Sequence, residues 1–288
     1  MSDLNPIDTT APDPGVVLEG ATKPEPSAFA EAAPTPPDQP YVPESAMAVY
    51  AHPDDVEFSC SGTLARWARA GARISIILCT SGDVGIAREG ITRQEAAALR
   101  EAEAKDAADI IGAAEIIYLR ERDGLLEATM DLRKRLVREL RRFRPEVLVT
   151  GDPTIVWAGD NYINHPDHRA AALAAVEAVF PAAGQPHIFE ELAAEGLVAH
   201  KVRKVYVSNW REGSTWVAID DTIDVKVAAL KAHKSQMGEW DVDKNIKEWA
   251  ADRAKDHGMQ YAEIFRVVTL ESDEDWAKYQ GQVVGRLK

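Results

Sequence analysis

The stretch AMAVYAHPDDVE, residues 46–57, passes from an unbroken apolar run into three carboxylates and an imidazole. The apolar half, residues 46–51, has the length and character of a strand buried on both faces. The polar half opens a loop that runs to residue 61. A helix is expected over residues 62–70, stopped by Gly71. Residues 73–79 (RISIILC) form a β-branched strand, and residues 80–90 a loop with three glycines. Thr92 and Glu95 make a capping box for a long helix that Gly112 ends. A strand over 115–119, an amphipathic helix over 131–143 and a strand over 146–150 follow, with Pro145 as the break. Pro166 then opens a helix that Pro181 ends.

Strands alternate with helices through four units. This predicts an α/β, three-layer, Rossmann-like fold with a mostly parallel sheet. The last third is less regular. Strands are expected over 202–208 and 215–219 and a helix over 222–234, while residues 240–280 are expected to pack over the sheet edge.

Composition sets the outer limits. The chain has 288 residues, 45% of them apolar, enough for one buried core. Its net charge of −14 excludes a broad nucleic-acid or anionic-membrane surface. Residues 1–45 hold ten of the 16 prolines, eight Asp/Glu and the single basic residue Lys23. Such a segment cannot bury enough surface to offset its ordering entropy, so it reads as a disordered acidic tail preceding one domain over 46–288. Cys60 and Cys79 form no CxxC and read as bland thiols. No run approaches the roughly 20 apolar residues of a membrane helix. The N-terminus lacks the charge and apolar core of a secretory signal, which points to the cytoplasm.

Chemistry concentrates in two places. In an open parallel sheet, ligands bind at the carboxyl ends of strands, where His52, Asp54, Asp55 and Glu57 fall. Neither GxGxxG nor GxxxxGK[ST] is present, so dinucleotide and P-loop chemistry are excluded. Carboxylates crowded beside an imidazole repel one another unless a cation sits among them, and His with Asp suits zinc. One of Asp54 and Asp55 can bind metal while the other faces the bound water. A capped turn rich in Asp would also account for this cluster alone. The second cluster is Asn164-His165-Pro166-Asp167-His168, again between a strand and a helix. His165 and His168 share a helical face, and Asp167 can hydrogen-bond and orient an imidazole. Two HPD tripeptides in equivalent settings are hard to ascribe to capping.

At these residues the chain resembles the LmbE-like, or PIG-L, N-deacetylases. AHPDDVE at 51–57 and NHPDH at 164–168 are similar to the family's two signatures, and SGDVG at 81–85 and LKAHKSQ at 230–236 also look familial. Ser59 and Ser61 stand where the family often has glycine. The resemblance spans about residues 46–270. It implies a Rossmann-like fold and zinc-dependent hydrolysis of an N-acyl, typically N-acetyl, amino sugar. It implies zinc, or another divalent metal, held by His52, Asp55 and His168. It implies Asp54 as general base and His165 as the electrostatic partner of the oxyanion; on the residues' own chemistry His165 is expected to be protonated there, and Asp167, which can orient an imidazole, joins the catalytic group.

Substrate contacts are expected from Arg88, Asp123, Trp157 and Tyr162, although each also suits a loop. His233 approaches the site or serves the structure, and Trp210, Trp216, Trp240 and Trp249 read as packing residues. The partner is a small amino-sugar amide, with a homo-oligomer left open. Two other functions fit the motifs less well: an amidase for a sugar-linked thiol conjugate, and a noncatalytic sugar-binding protein. Retention of both Asp54 and His165 argues against the latter.

Overall fold

The computed structural model describes residues 41–86, 89–208 and 213–286, with side chains through residue 282. Strand β1 (Ser45–Tyr50) leads into α1 (Asp55–Ser59) and α2 (Ser61–Arg69). Then β2 (Arg73–Thr80), α3 (Arg93–Ile111), β3 (Glu115–Glu121), α4 (Met130–Phe143), β4 (Val147–Gly151) and α5 (Pro166–Glu177) alternate. After a π-helical turn at Ala178–Ala183 come α6 (Glu191–Ala194), β5 (Lys204–Ser208), β6 (Thr215–Ala218) and α7 (Ile223–Ala232). The chain closes with α8 (Lys234–Met237), α9 (Val242–Ala254), β7 (Ala262–Thr269) and α10 (Asp273–Arg286).

The strands make one seven-stranded sheet in the order β3-β2-β1-β4-β5-β7-β6. Strands β1 to β5 are parallel, and β7 runs antiparallel to both β5 and β6. Every residue of β1 is buried, as its apolar run requires. Successive side chains go to opposite faces. Met47 and Val49 pack with Leu132, Leu136 and Leu140 of α4 and Ala174 of α5. Ala46 and Ala48 pack with Leu64 and Trp67 of α2 and Ala104 and Ala107 of α3. These two cores are the outer layers of the expected three-layer α/β fold.

Local signals act as physical chemistry requires. Thr92 and Glu95 complete the capping box of α3, and Gly112 closes that helix at φ 85°. Thr129 Oγ1 accepts the Leu132 N–H at the start of α4. Among the described residues, no helix is long and apolar enough to cross a membrane.

Three expectations are corrected. The polar stretch after β1 is not a loop through residue 61: α1 begins at Asp55, with only Cys60 between it and α2. Asp55 and Glu57 lie in the first turn of α1, where carboxylates favour the positive helix end. The segment 240–280 does not merely cover an edge. It supplies β7, which inserts between β5 and β6. The leader also gives way earlier than residue 45. Tyr41 donates from its hydroxyl to Glu146 at 2.7 Å, and its carbonyl accepts from Trp67 Nε1 at 3.0 Å. Residues 1–40 lie outside the described residues.

Candidate active site

The strand order reverses between β1 and β4, and the crevice there is the expected ligand site of such a sheet. His52 follows β1, Asp123 follows β3, and His165, Asp167 and His168 follow β4. The three imidazoles form a triangle. Ring centroids lie 4.9 Å apart for His52–His165, 5.1 Å for His52–His168 and 5.2 Å for His165–His168.

Asp55 sits between two of them. Its Oδ1 is 3.0 Å from His168 Nε2, and its Oδ2 is 3.5 Å from His52 Nδ1 while accepting the His52 N–H at 2.8 Å. Burial opposes its charge, but His168 and His52 hold its carboxyl well below the usual range. His168 is turned by Asn164, whose Oδ1 lies 3.2 Å from its Nδ1. That leaves Nε2 facing Asp55. Asn164 was not singled out as a separate functional residue from sequence, although it stands one turn before His168 in the quoted motif.

Behind His52 lies a second pair of carboxylates. Asp123 Oδ1 and Asp167 Oδ2 are 3.1 and 3.3 Å from its Nε2. Burial works against a charged His52, yet Asp123, Asp167 and Asp55 together push its pKa up to about 12. These carboxylates outnumber the imidazole they surround, an excess of negative charge that favours a cation at His52. A divalent cation answers the same excess, and the nitrogen and oxygen donors suit one. Among the described residues, two groups of side chains have donor atoms close enough to share an ion: His52 with His165 and His168, and His52 with Asp123 and Asp167.

The second group is fully engaged. Asp167 is 0% exposed and also accepts the N–H groups of Gly124 at 2.7 Å and Leu126 at 3.2 Å. Asp123 is 5% exposed and accepts the Val84 N–H at 2.6 Å. The expectation that Asp123 binds sugar hydroxyls does not fit, because its oxygens are already used behind His52. Asp167 likewise touches His52 and backbone N–H groups, which makes it a positioning residue.

Asp54 occupies the cap position of α1 at φ 95°, a conformation that non-glycine residues seldom adopt. Its carboxylate meets Arg100 Nη2 at 3.0 Å. The same guanidinium donates to the carbonyls of Gly82 and Pro53. Gly82, at φ 63°, has no room for a Cβ, which would fall 2.3 Å from Arg100 Nη1. The familial SGDVG stretch thus shapes a seat for Arg100. Burial raises the Asp54 pKa most, Arg100 pulls it down and Asp55 pushes it up, to about 7. Arg100 escaped sequence reasoning because it is one buried arginine in a long polar helix.

His165 departs from expectation. Its Nδ1 accepts the Asp167 N–H at 3.1 Å, so it caps α5. A nitrogen that accepts cannot carry a proton, so the imidazole is neutral with its proton on Nε2. Burial and the charge on His52 also lower its pKa. The sequence reading of a protonated His165 is therefore revised to a neutral Nε2–H donor.

A cavity of about 760 Å³ opens beside Asp55 and His168 and extends to Tyr162 and helix α9. Trp157, in contrast, is 71% exposed and does not line it. Arg88 and Trp210 lie outside the described residues. His233 is fully buried, with Nε2 3.2 Å from Glu57 Oε2, and ties α1 to the α7–α8 junction. Cys60 is buried, and burial raises its pKa, as for an inert thiol. Trp240 packs on Phe58 and Trp249, but Trp249 also lines the cavity.

Comparison with known proteins bears on the family of the chain. Residues 47–179, which carry both HPD motifs, match the PIG-L family model, described as GlcNAc-PI de-N-acetylase. The chain is 30% identical to the diacetylchitobiose deacetylase of Thermococcus kodakarensis over 225 residues, covering 77% of this chain and 82% of that protein. It is 28% identical to the 1D-myo-inositol 2-acetamido-2-deoxy-alpha-D-glucopyranoside deacetylase of Rhodococcus erythropolis, covering 66% and 80%. The fold superposes on N,N'-diacetylchitobiose deacetylase from Pyrococcus horikoshii with a TM-score of 0.72 at 25% identity, covering 79% and 84%. With the paired motifs gathered at one sheet crevice and relatives that share most of their length with it, this chain belongs to the PIG-L family of deacetylases.

Proposed function

We propose that the protein is a zinc-dependent hydrolase that removes the N-acetyl group from an amino sugar, with His52, Asp55 and His168 as the metal ligands. The relatives named above are deacetylases of acetamido sugars. The observation that carries the reading is Asp54, pinned by Arg100 beside a cavity that Asp55 and His168 line. Asp123 and Asp167 each reach His52 Nε2 and also accept backbone N–H groups, from Val84 and from Gly124 and Leu126. This favours them as the carboxylates that orient His52 from behind, leaving its Nδ1 for the ion. Zinc, when bound, supplies Lewis acidity to the amide carbonyl and to water.

The chain's own groups supply the proton transfers. Asp54 accepts a proton from water as the oxygen attacks the acetamide carbon. Its pKa near neutrality suits a base that must later return that proton to the leaving amine. His165 donates from Nε2 to the carbonyl oxygen as negative charge develops there. Asp167 contributes by fixing His52 and by donating its backbone N–H to His165.

The test is release of free amine from simple N-acetylglucosaminides by zinc-loaded protein. Asp54→Asn is expected to lower kcat by about 10²–10⁴ while metal content stays at the wild-type level. His52→Ala, Asp55→Ala and His168→Ala should each lower metal content. Full activity in Asp54→Asn, or full metal occupancy in all three ligand variants, would overturn the assignment.

A further inference from the structure

A second cavity, of about 480 Å³, is walled by the end of α4, the segment that enters β5, and α10. That volume is within the range of small-molecule sites. Arg144 stands just before β4, whereas His165 and His168 follow the other end of that strand, so the cavity is remote from the catalytic crevice. Arg141, Arg142, Arg144 and Lys201 line it, and no carboxylate does among the described residues. Four cations around one hollow run against the net charge of −14. Two of them are answered by neighbours: Arg142 pairs with Glu115 and Glu139, and Lys201 with Glu271 at 2.7 Å. Arg141 is buried and spends its donors on five carbonyls, so its hydrogen bonds are made but no carboxylate cancels its charge. Glu191 acts on it without forming an ion pair and is itself taken by Lys134.

Arg144 donates from Nη2 to the Tyr279 hydroxyl at 2.8 Å and forms no ion pair among the described residues. That hydroxyl has no capacity left. His200 Nε2 lies 2.8 Å from the Pro145 carbonyl, which requires an N–H there, and burial keeps the ring neutral. His200 Nδ1 is then an acceptor and receives the Tyr279 proton at 3.2 Å. The Tyr279 oxygen in turn accepts from Arg144 and from the Lys201 N–H at 3.2 Å. Tyr279 thus anchors one corner of the Arg144 guanidinium on the cavity wall, and the other N–H groups of that fork have no protein partner among the described residues. We propose that this cavity binds the phosphate of a small organic phosphomonoester, at a site separate from the catalytic one. Arg144 offers a fork that matches phosphate oxygens. Arg141 and Arg144 together bring two uncancelled charges, for a group that carries about −1.5 to −2 at neutral pH. Leu197, Val198 and Ala199 form an adjoining apolar wall, with Val198 57% exposed, and the organic part of the ester packs there. The two cavities share no lining residue, so phosphate binding here is independent of the deacetylase reading.

The test is calorimetric titration of the zinc-loaded full chain with phenyl phosphate, phenyl sulfate and inorganic phosphate. Phenyl phosphate should bind about 10- to 100-fold more tightly than the singly charged sulfate ester, the span of a charge-assisted hydrogen bond. It should also bind more tightly than inorganic phosphate, through burial of its ring. Arg144→Gln should weaken phenyl phosphate by about 10- to 100-fold. Arg144→Lys, which keeps the charge without the fork, should fall between. Val198→Glu alters an exposed wall residue and sets a carboxylate beside the site. It should abolish the preference for the phosphate ester while the thermal midpoint without ligand stays at the wild-type value.

Phosphate can also reach the zinc, but binding there is indifferent to both positions. Wild-type affinity for phenyl phosphate in either Arg144→Gln or Val198→Glu would therefore overturn the site. Equal affinity for the phosphate and sulfate esters, tighter binding of inorganic phosphate, or no binding of any probe would overturn it as well. Should Arg144→Gln not fold, Val198→Glu decides alone.

Discussion

Asp54 and Arg100 act as a unit, and their coupling has a measurable pH signature. Asp54 must be ionised to accept a proton, so kcat/KM is present above its pKa and lost as pH falls through it. Arg100 lowers that pKa by stabilising the carboxylate. Arg100→Gln therefore moves the acid limb of the kcat/KM profile to higher pH, and each unit of displacement costs about tenfold on the acid side. A bound dication lowers both limbs but leaves the sign of the displacement unchanged. An acid limb that stays in place in a zinc-replete Arg100→Gln enzyme removes Asp54 as the titrating base. Individual residues differed in how legible they were. His52, Asp54, Asp55, His165 and His168 announced themselves because scarce chemical types stood together in sequence. Asp123 and Arg100 act through distance relations that only the fold creates. The charge state of His165 was misread because it depends on a backbone N–H two residues ahead, which residue type alone does not disclose.

Among the elements, β7 was the one the sequence concealed. Its core residues Ala262, Ile264 and Phe265 are interrupted by Glu263, and a charge inside a strand reads as a solvent-facing position. In the structure Glu263 is 0% exposed and ties β7 to two helices. It accepts the N–H groups of Gly62 at 3.0 Å and Thr63 at 2.8 Å in the first turn of α2, and meets Lys226 Nζ of α7 at 2.6 Å. Lys226, 1% exposed, also donates to the Phe58 carbonyl near the end of α1. The helix that carries Asp55 is thus braced from the antiparallel side of the sheet. Removing one partner of a buried pair leaves an uncompensated charge, which costs about 3–5 kcal/mol. Lys226→Met should lose stability of that order in chemical denaturation, and Lys226→Met with Glu263→Gln should recover part of it. If the double variant is no more stable than the single one, the cost lies in packing and not in the stranded charge. The regular βα units were legible because capping boxes, glycine stops and apolar periodicity all act locally. The antiparallel edge depends on a pairing between residues 226 and 263, which local patterns do not carry.

At the scale of the whole molecule, the two ends of the sheet do different jobs. The carboxyl ends of the parallel strands hold crowded like charges and a strained Asp54. The opposite end is tied by a network of polar contacts. Glu146 there joins Tyr41 at 2.7 Å and Arg203 at 2.8 Å. His200, 2% exposed, sets its Nε2 2.8 Å from the Pro145 carbonyl and its Nδ1 3.2 Å from the Tyr279 hydroxyl. Burial drives its pKa down to about 4, the Pro145 carbonyl opposes this, and Arg144 adds to the fall. The folded protein therefore keeps His200 neutral while an unfolded chain protonates it near pH 6.5. Between those values the unfolded state binds more protons, so stability falls as the solution is acidified from about pH 6.5 to about 4. The contribution present above pH 6.5 and lost over that window is about 3 kcal/mol. His200→Gln cannot titrate. Its unfolding free energy should start lower at pH 7.5, through lost contacts, yet decline less steeply than wild type between pH 6.5 and 4. The difference between the two curves isolates His200 from the carboxylates that titrate in both proteins. Because His200 lies at the end of the sheet remote from Asp54, kcat/KM for amine release at pH 7.5 should change by less than about twofold. Parallel stability curves for the two proteins would show that His200 is protonated in the fold. A large loss of kcat/KM in a stably folded variant would show that the two ends of the sheet are energetically coupled.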